Sequence, residues 1–178
     1  ADGKLDNAYT NDGLTLLVPS YALWKHLIYS DVYGLNQKPS LIPQPQSLKW
    51  NDGAFPLYSC QSIVMKDKSL QKEAAFLQKI ISEKGWRMDI RAAPKTNRPY
   101  IELRLGEVAS PQLSHEAYRI NVTGDKVELI ANTPHGIFNA IQTLSQLMRD
   151  GSMISTCEIT DWPAFSWRGY MVDVGRNY

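Results

Sequence analysis

Arg168, set between Trp167 and Gly169 just before the apolar run Tyr170-Met171-Val172-Asp173-Val174, is the residue of this chain best shaped to hold a polar ligand. A guanidinium offers five N–H donors in a flat fork, which suits two neighbouring sugar hydroxyls as well as a carboxylate. Trp167 can stack on a sugar ring or pack a domain junction. Spacing alone leaves open the plainer roles, an interdomain salt bridge for Arg168 and core packing for Trp167. Glycoside hydrolysis commonly uses two carboxylates, and Asp161 and Asp173 are the acidic residues near this run. Asp161 precedes Trp162-Pro163 and reads as a turn residue. Asp173 alternates with Met171 and can face inward or outward, but one carboxylate cannot be both acid and base. No two acidic residues are adjacent anywhere in the sequence.

Other chemistries find little support. His26, His115 and His135 are isolated, so the paired histidines of a zinc protease helix are absent and a surface or capping role is expected for each. Cys60 and Cys157 stand far apart without a Cys or His at ligand spacing, which disfavours a metal site. Two separate thiols are expected there, with a disulfide as the alternative. No glycine loop cradles a phosphate and no serine occupies a nucleophile elbow. A net charge of +1 with scattered basic residues gives no field for nucleic acid or an anionic membrane. The most apolar stretch, Leu14 to Leu35, is broken by Pro19, Lys25, His26 and Asp31, too often for a membrane span. Ala1-Asp2-Gly3 opens without a basic, apolar secretory signal and reads as a processed or trimmed start.

The elements that must position Arg168 are legible upstream. Residues 1–38 are irregular, with a short helix expected from Ser20 through Ile28, and carry no recognisable role. Pro39 to Gln46 holds three prolines and reads as an extended linker, since each disfavours helix in the residue before it. Short strands are expected at Ser47–Trp50, Phe55–Tyr58 and Ser62–Lys66, with Asn51-Asp52-Gly53 as a turn. Leu70, Ala74, Leu77 and Ile81 form one stripe of a helix over Ser69 to Lys84, which Gly85 ends. Strands at Met88–Arg91 and Tyr100–Leu105 follow. Tyr118–Val122 and Val127–Ile130 flank a hairpin turn. A second helix is capped by Asn132 or Thr133, starts at Pro134 and buries Ile137, Ile141, Leu144 and Met148; Gly151 lies past its end. A last strand, Ile154 to Thr160, precedes the Asp161-Trp162-Pro163 corner. This predicts an α+β fold: a two-layer domain over 39–160, mainly antiparallel, with two helices on one face.

Four stretches carry a resemblance: Leu41-Ile42-Pro43-Gln44-Pro45; Glu116-Ala117-Tyr118-Arg119-Ile120 with Ile130-Ala131-Asn132; Gly136 to Leu147; and Ile159 to Gly169 running on to Asp173-Val174-Gly175-Arg176. In this order they resemble the β-N-acetylhexosaminidases of glycoside hydrolase family 20, over about residues 40 to 178. The resemblance implies an accessory domain over 39–160, then, over 161–178, a linker and the first strand of a (β/α)₈ barrel whose remainder is absent. It implies that Arg168 is substrate-binding, holding hydroxyls of a terminal N-acetylhexosamine at the floor of an exo-acting pocket. It also implies substrate-assisted catalysis by an adjacent Asp-Glu pair that this chain lacks, so no catalytic residue is expected here and the chain alone is expected to be inactive. Gly175 and Asn177 stand where Ser and His are more usual in the family.

No cofactor and no metal are expected. The implied partners are the terminal N-acetylhexosamine of glycans, the rest of the barrel and, through 165–178, other copies of the chain. A secreted, periplasmic or lysosomal address follows from the resemblance alone. Two competing readings are a non-catalytic module that braces a barrel or binds glycan, and the accessory domain of another glycosidase such as an α-glucuronidase. The Trp167-Arg168-Gly169 sequence favours the hexosaminidase over the latter.

Overall fold

Among the described residues, apolar side chains recurring along seven strands and two helices meet in one main core. The computed structural model describes residues 38–178 apart from 96–97, 112–113, 150–152, 173–174 and 176–178. The helix expected from Ser20, Gly151 and Asp173 lie outside these residues. In chain order the elements are β1 (Ser47–Pro56), β2 (Ser62–Met65), α1 (Gln71–Glu83), β3 (Asp89–Arg91), β4 (Tyr100–Leu105), β5 (Tyr118–Val122), β6 (Lys126–Ala131), α2 (Pro134–Leu147) and β7 (Met153–Asp161). The strands form one sheet in the order β1-β7-β5-β6-β4-β2-β3. The α+β, two-layer architecture is the one expected.

Both helices cover the same sheet face. The α1 stripe Leu70, Ala74, Leu77 and Ile81 and the α2 stripe Ile137, Ile141, Leu144 and Met148 are fully buried, in one cluster with Ile63, Ile101, Leu103, Ile120, Leu129 and Ile159 of the strands. Outside this core the helices touch through the stacked rings of Phe76 and Phe138, centroids 5.2 Å apart. Asp67 starts the α1 region by accepting the Ser69 N–H at 2.8 Å. At α2 the Thr133 hydroxyl accepts the Gly136 N–H and donates to the His115 carbonyl, and Pro134 takes the first turn, where a missing N–H costs nothing.

Two expectations need correction. The sheet is mixed, not mainly antiparallel: β1/β7, β5/β7 and β5/β6 run antiparallel, whereas β2/β3, β2/β4 and β4/β6 are parallel. Alternation marks a strand without giving its direction; the crossover through α1 returns the chain to the same sheet end and makes β2 and β3 parallel. Nor is Asn51-Asp52-Gly53 a turn between two strands. It is a bulge inside one strand, since Trp50 pairs with Cys157 and Ala54 with Ser155. Gly53, at φ +104°, supplies the left-handed conformation the extra residues require. The Thr156 hydroxyl lies 2.8 Å from the Asp52 carbonyl and 3.1 Å from that of Gly53, giving the bulge a hydrogen-bond donor.

The proline-rich segment docks onto the domain. Leu41 and Pro45 are buried, and the Gln146 amide clasps Ile42, accepting its N–H and donating to its carbonyl, both at 2.9 Å. The opposite sheet face carries paired charges: Glu128 Oε1 sits 3.1 Å from Arg104 Nε and 3.2 Å from Lys126 Nζ. Burial opposes ionisation of Glu128, but these two cations outweigh it and hold its pKa below the ordinary value. Beyond β7, Tyr170, Met171 and Val172 are exposed and carry no strand pairing. The strand expected over this segment is not formed among its described residues.

Candidate functional site

The start of β5, the first turn of α2 and the chain leaving β7 converge at one end of the sheet. Antiparallel pairing sets Tyr118 opposite Asp161. The residues before β5 and after β7 therefore emerge together. The loop leading into β5 is pinned by Asn132, whose side chain accepts from Val108 N at 2.8 Å and donates to the carbonyls of Val108 and Ser114. Glu116 N donates to Ser114 Oγ at 3.2 Å. Gly136 lets the helix close over this loop: a Cβ there would sit 2.6 Å from the Ala117 carbonyl oxygen and 2.7 Å from Ala131 Cβ. Trp162 packs on Val108, Ala117 and Ile130 from the other side.

On this platform Glu116 Oε2 gathers three groups. Arg168 Nη2 donates to it at 2.5 Å, Asn139 Nδ2 at 3.4 Å, and His135 Nε2 lies 3.9 Å away. The Glu116 side chain is only 10% exposed. Burial opposes its ionisation, yet the hydrogen bond and charge of Arg168, with His135 and Asn139, outweigh burial and hold the carboxyl below the ordinary glutamate value. Arg168 is half-exposed, and its Nη1 donates back to the Phe165 carbonyl at 2.7 Å. Each terminal nitrogen thus gives one bond to protein, and the remaining N–H groups of the five can serve hydroxyl oxygens.

Beneath this pair, Tyr118 donates from its hydroxyl to Asp161 Oδ2 at 2.9 Å and lies 2.6 Å from Thr143 Oγ1. Asp161 Oδ1 accepts the Gln46 N–H at 3.1 Å. Burial, then the Asp161 charge, push the Tyr118 phenol well above its ordinary pKa, keeping it a neutral donor. Asp161 thus ties the last strand to β5 and to the residue before β1. It does more than turn the chain.

Of the residues singled out in the sequence, Arg168 and Asp161 enter this junction, Trp167 stands 82% exposed beside it, and Asp173 lies outside the described residues. His135 joins the Glu116 cluster, and the His115 ring stands 5.6 Å from that of His135. Cys60 and Cys157 are free, buried thiols. Sequence reasoning missed Glu116 and Asn139 as partners of Arg168, although both fall in stretches that carry the resemblance. Among the described residues no group of three or more His, Cys, Asp or Glu is arranged to hold a metal ion. The groove along the two helices, lined by Phe76, Ile80 and Gln142, lies away from this cluster. No described helix is long and apolar enough to cross a membrane.

Known proteins share the domain that carries this junction. Residues 38–162 match the family model for glycosyl hydrolase family 20, domain 2. The β-hexosaminidase of Vibrio furnissii is 30% identical over 144 residues, covering 78% of this chain and 22% of that protein. The β-hexosaminidase of Porphyromonas gingivalis is 28% identical over 152 residues, covering 78% and 19%. This chain therefore spans about a fifth of the length of these curated relatives. Among solved structures, the chitobiase of Flavobacterium johnsoniae superposes with a TM-score of 0.60 at 23% identity, covering 79% of this chain and 23% of that one. The β-N-acetylhexosaminidase of Bacteroides fragilis gives 0.56 at 24% identity, covering 71% and 25%. These two show likeness of fold. With 125 of its 178 residues, 38 to 162, matched by the family model, the chain belongs to glycoside hydrolase family 20, through that family's domain 2.

Proposed function

We propose that this chain is the N-terminal part of an exo-acting β-N-acetylhexosaminidase that removes terminal β-linked GlcNAc or GalNAc from glycans. The observation that carries the reading is the state of Arg168. It follows the matched domain closely, is anchored through both terminal nitrogens and half-exposed, and keeps further N–H groups for a ligand. In this reading those N–H groups hold ring hydroxyls of the terminal sugar at the closed floor of the pocket, which restricts cleavage to chain ends. Hydrolysis is substrate-assisted: the acetamido oxygen attacks the anomeric carbon, an Asp orients that group, and the neighbouring Glu protonates the leaving oxygen. The 178 residues contain no adjacent Asp-Glu pair, so in this reading the pair comes from a barrel segment outside them. Such barrels run to roughly 250 residues. An address outside the cytosol goes with glycan substrates.

The test has two arms. The reading frame downstream of Tyr178 is expected to continue for a barrel's length and to include an adjacent Asp-Glu pair; a stop codon there would leave a non-catalytic module. The 178 residues expressed alone are expected to hydrolyse a chromogenic N-acetylglucosaminide at background. Turnover traceable to them would overturn the reading.

A further inference from the structure

Resting on the reading of Arg168 as the sugar-binding arginine, we infer that Glu116 of the accessory domain is the positioning residue that presents it. The two partners are unequal in rigidity, which gives the interaction a direction. Glu116 sits on a loop pinned by Asn132, Ser114 and the close approach of Gly136 to Ala117, and its carboxylate is almost buried. Arg168 sits on an irregular, exposed segment whose neighbours Phe165, Trp167 and Tyr170 are all largely open to solvent. The fixed partner holds the movable one.

The geometry also divides the labour within the fork. Nη2 is taken by Glu116 and Nη1 by the Phe165 carbonyl, two bonds that together fix the plane of the guanidinium. Asn139 donates to the same Glu116 oxygen and His135 Nε2 stands 3.9 Å from it, so the carboxylate has α2 partners besides Arg168. A short charge-assisted hydrogen bond of this kind gives direction as well as attraction. Placing a substrate contact correctly matters: an ångström of misplacement can lower turnover by about a hundredfold. The accessory domain then acts in the reaction as the bracket of a substrate-binding arginine, beyond any packing role.

A double-mutant cycle in the full-length enzyme tests this, with kcat/KM on a chromogenic N-acetylglucosaminide as the readout. Glu116→Gln keeps the shape of the side chain and removes its charge. It is expected to lower kcat/KM about ten- to a hundredfold when Arg168 is present, and to have no further effect in the Arg168→Ala background. Equal loss in both backgrounds would show a merely structural role and overturn the inference. Full activity of Glu116→Gln beside a damaged Arg168→Ala variant would overturn it too, leaving the reading of Arg168 intact. An Arg168→Ala variant with normal kinetics would sink that reading and the inference with it. A second measurement needs no turnover. In the 178-residue chain, trypsin must pull the Arg168 side chain off Glu116 before cutting, so Glu116→Gln is expected to speed cleavage after Arg168 several-fold relative to other sites. Unchanged cleavage would mean that the contact does not hold the arginine in solution, and would overturn the inference.

Discussion

Replacing Gly136 by alanine tests whether the junction is built on close backbone approach. The added Cβ would lie 2.6 Å from the Ala117 carbonyl oxygen and 2.7 Å from Ala131 Cβ. Carbon contacts are relaxed only near 3.5–4.0 Å, so the first turn of α2 must retreat by about 1 Å. Neither neighbour can yield easily, because one is backbone and the other is the last residue of β6. Overpacking of this kind costs about 1–3 kcal/mol, and the gain in helix propensity from glycine to alanine returns up to about 1 kcal/mol. Mid-range values of the two leave a net loss of about 1.5 kcal/mol, or on the order of 3–10 °C in Tm for a domain of this size. Thermal unfolding followed by far-UV circular dichroism measures it, with Gly124→Ala as the control, since a Cβ at Gly124 meets nothing within 4 Å. The same retreat carries His135 and Asn139 away from Glu116, so trypsin should also cut sooner after Arg168. A Gly136→Ala protein as stable as the parent would refute the steric argument.

Acid titration is expected to expose the two held carboxylates. Glu116 and Glu128 have folded pKa values below the ordinary one, so as pH falls the unfolded state takes up protons first. Their stabilisation is complete above about pH 5–6 and disappears as pH drops through the lowered folded values. Urea midpoints across this range should show Glu116→Gln with a flatter acid limb, and an identical slope would contradict the assignment. Burial pushes the Cys60 thiol up to about 12 and, with the Glu158 charge adding to it, the Cys157 thiol likewise. A thiol reagent at pH 8 should label both only as fast as the fold opens; immediate labelling would show that they are not sealed in the core. With Trp167 82% and Tyr170 91% exposed beside Met171 and Val172, the 178 residues alone are expected to self-associate through 165–178. Light scattering that finds a monomer at high concentration, with this segment cut readily by protease, would exclude that.

The sequence-level expectations were strongest where one period dominates. The α1 and α2 stripes were legible because four apolar residues at helical spacing recur against charged or polar neighbours, and every one of those residues is buried. The β5–β6 hairpin was legible from its turn. Strand direction was not, because the inward set Ile101, Leu103 and Leu105 would read the same in a parallel or an antiparallel neighbour; only the full order of crossovers decides it. The β1 bulge hid for a related reason. Asn-Asp-Gly favours left-handed backbone whether it reverses a chain or bulges it, and the difference lies in Thr156, roughly a hundred residues away, whose hydroxyl faces the freed carbonyls.

The junction follows the same logic one level up. Arg168 was visible from its chemistry and its flanking tryptophan, whereas Glu116, 52 residues earlier, looked like an ordinary acidic residue before a strand. What joins them is sheet register. Because Tyr118 pairs with Asp161, a carboxylate two residues before the first and a guanidinium a short loop after the second leave the sheet at the same end. A register slip of two would preserve every inward apolar side chain and every strand, yet would separate the pair by roughly 7 Å. Tyr118 donates to Asp161 and accepts from Thr143, and both bonds oppose that slip, since moving β5 by two residues along β7 would carry the phenol away from the Asp161 carboxylate. They fix the one alignment in which an accessory domain reaches the arginine of its neighbouring segment, and so link the packing of β5, β7 and α2 to the proposed sugar contact.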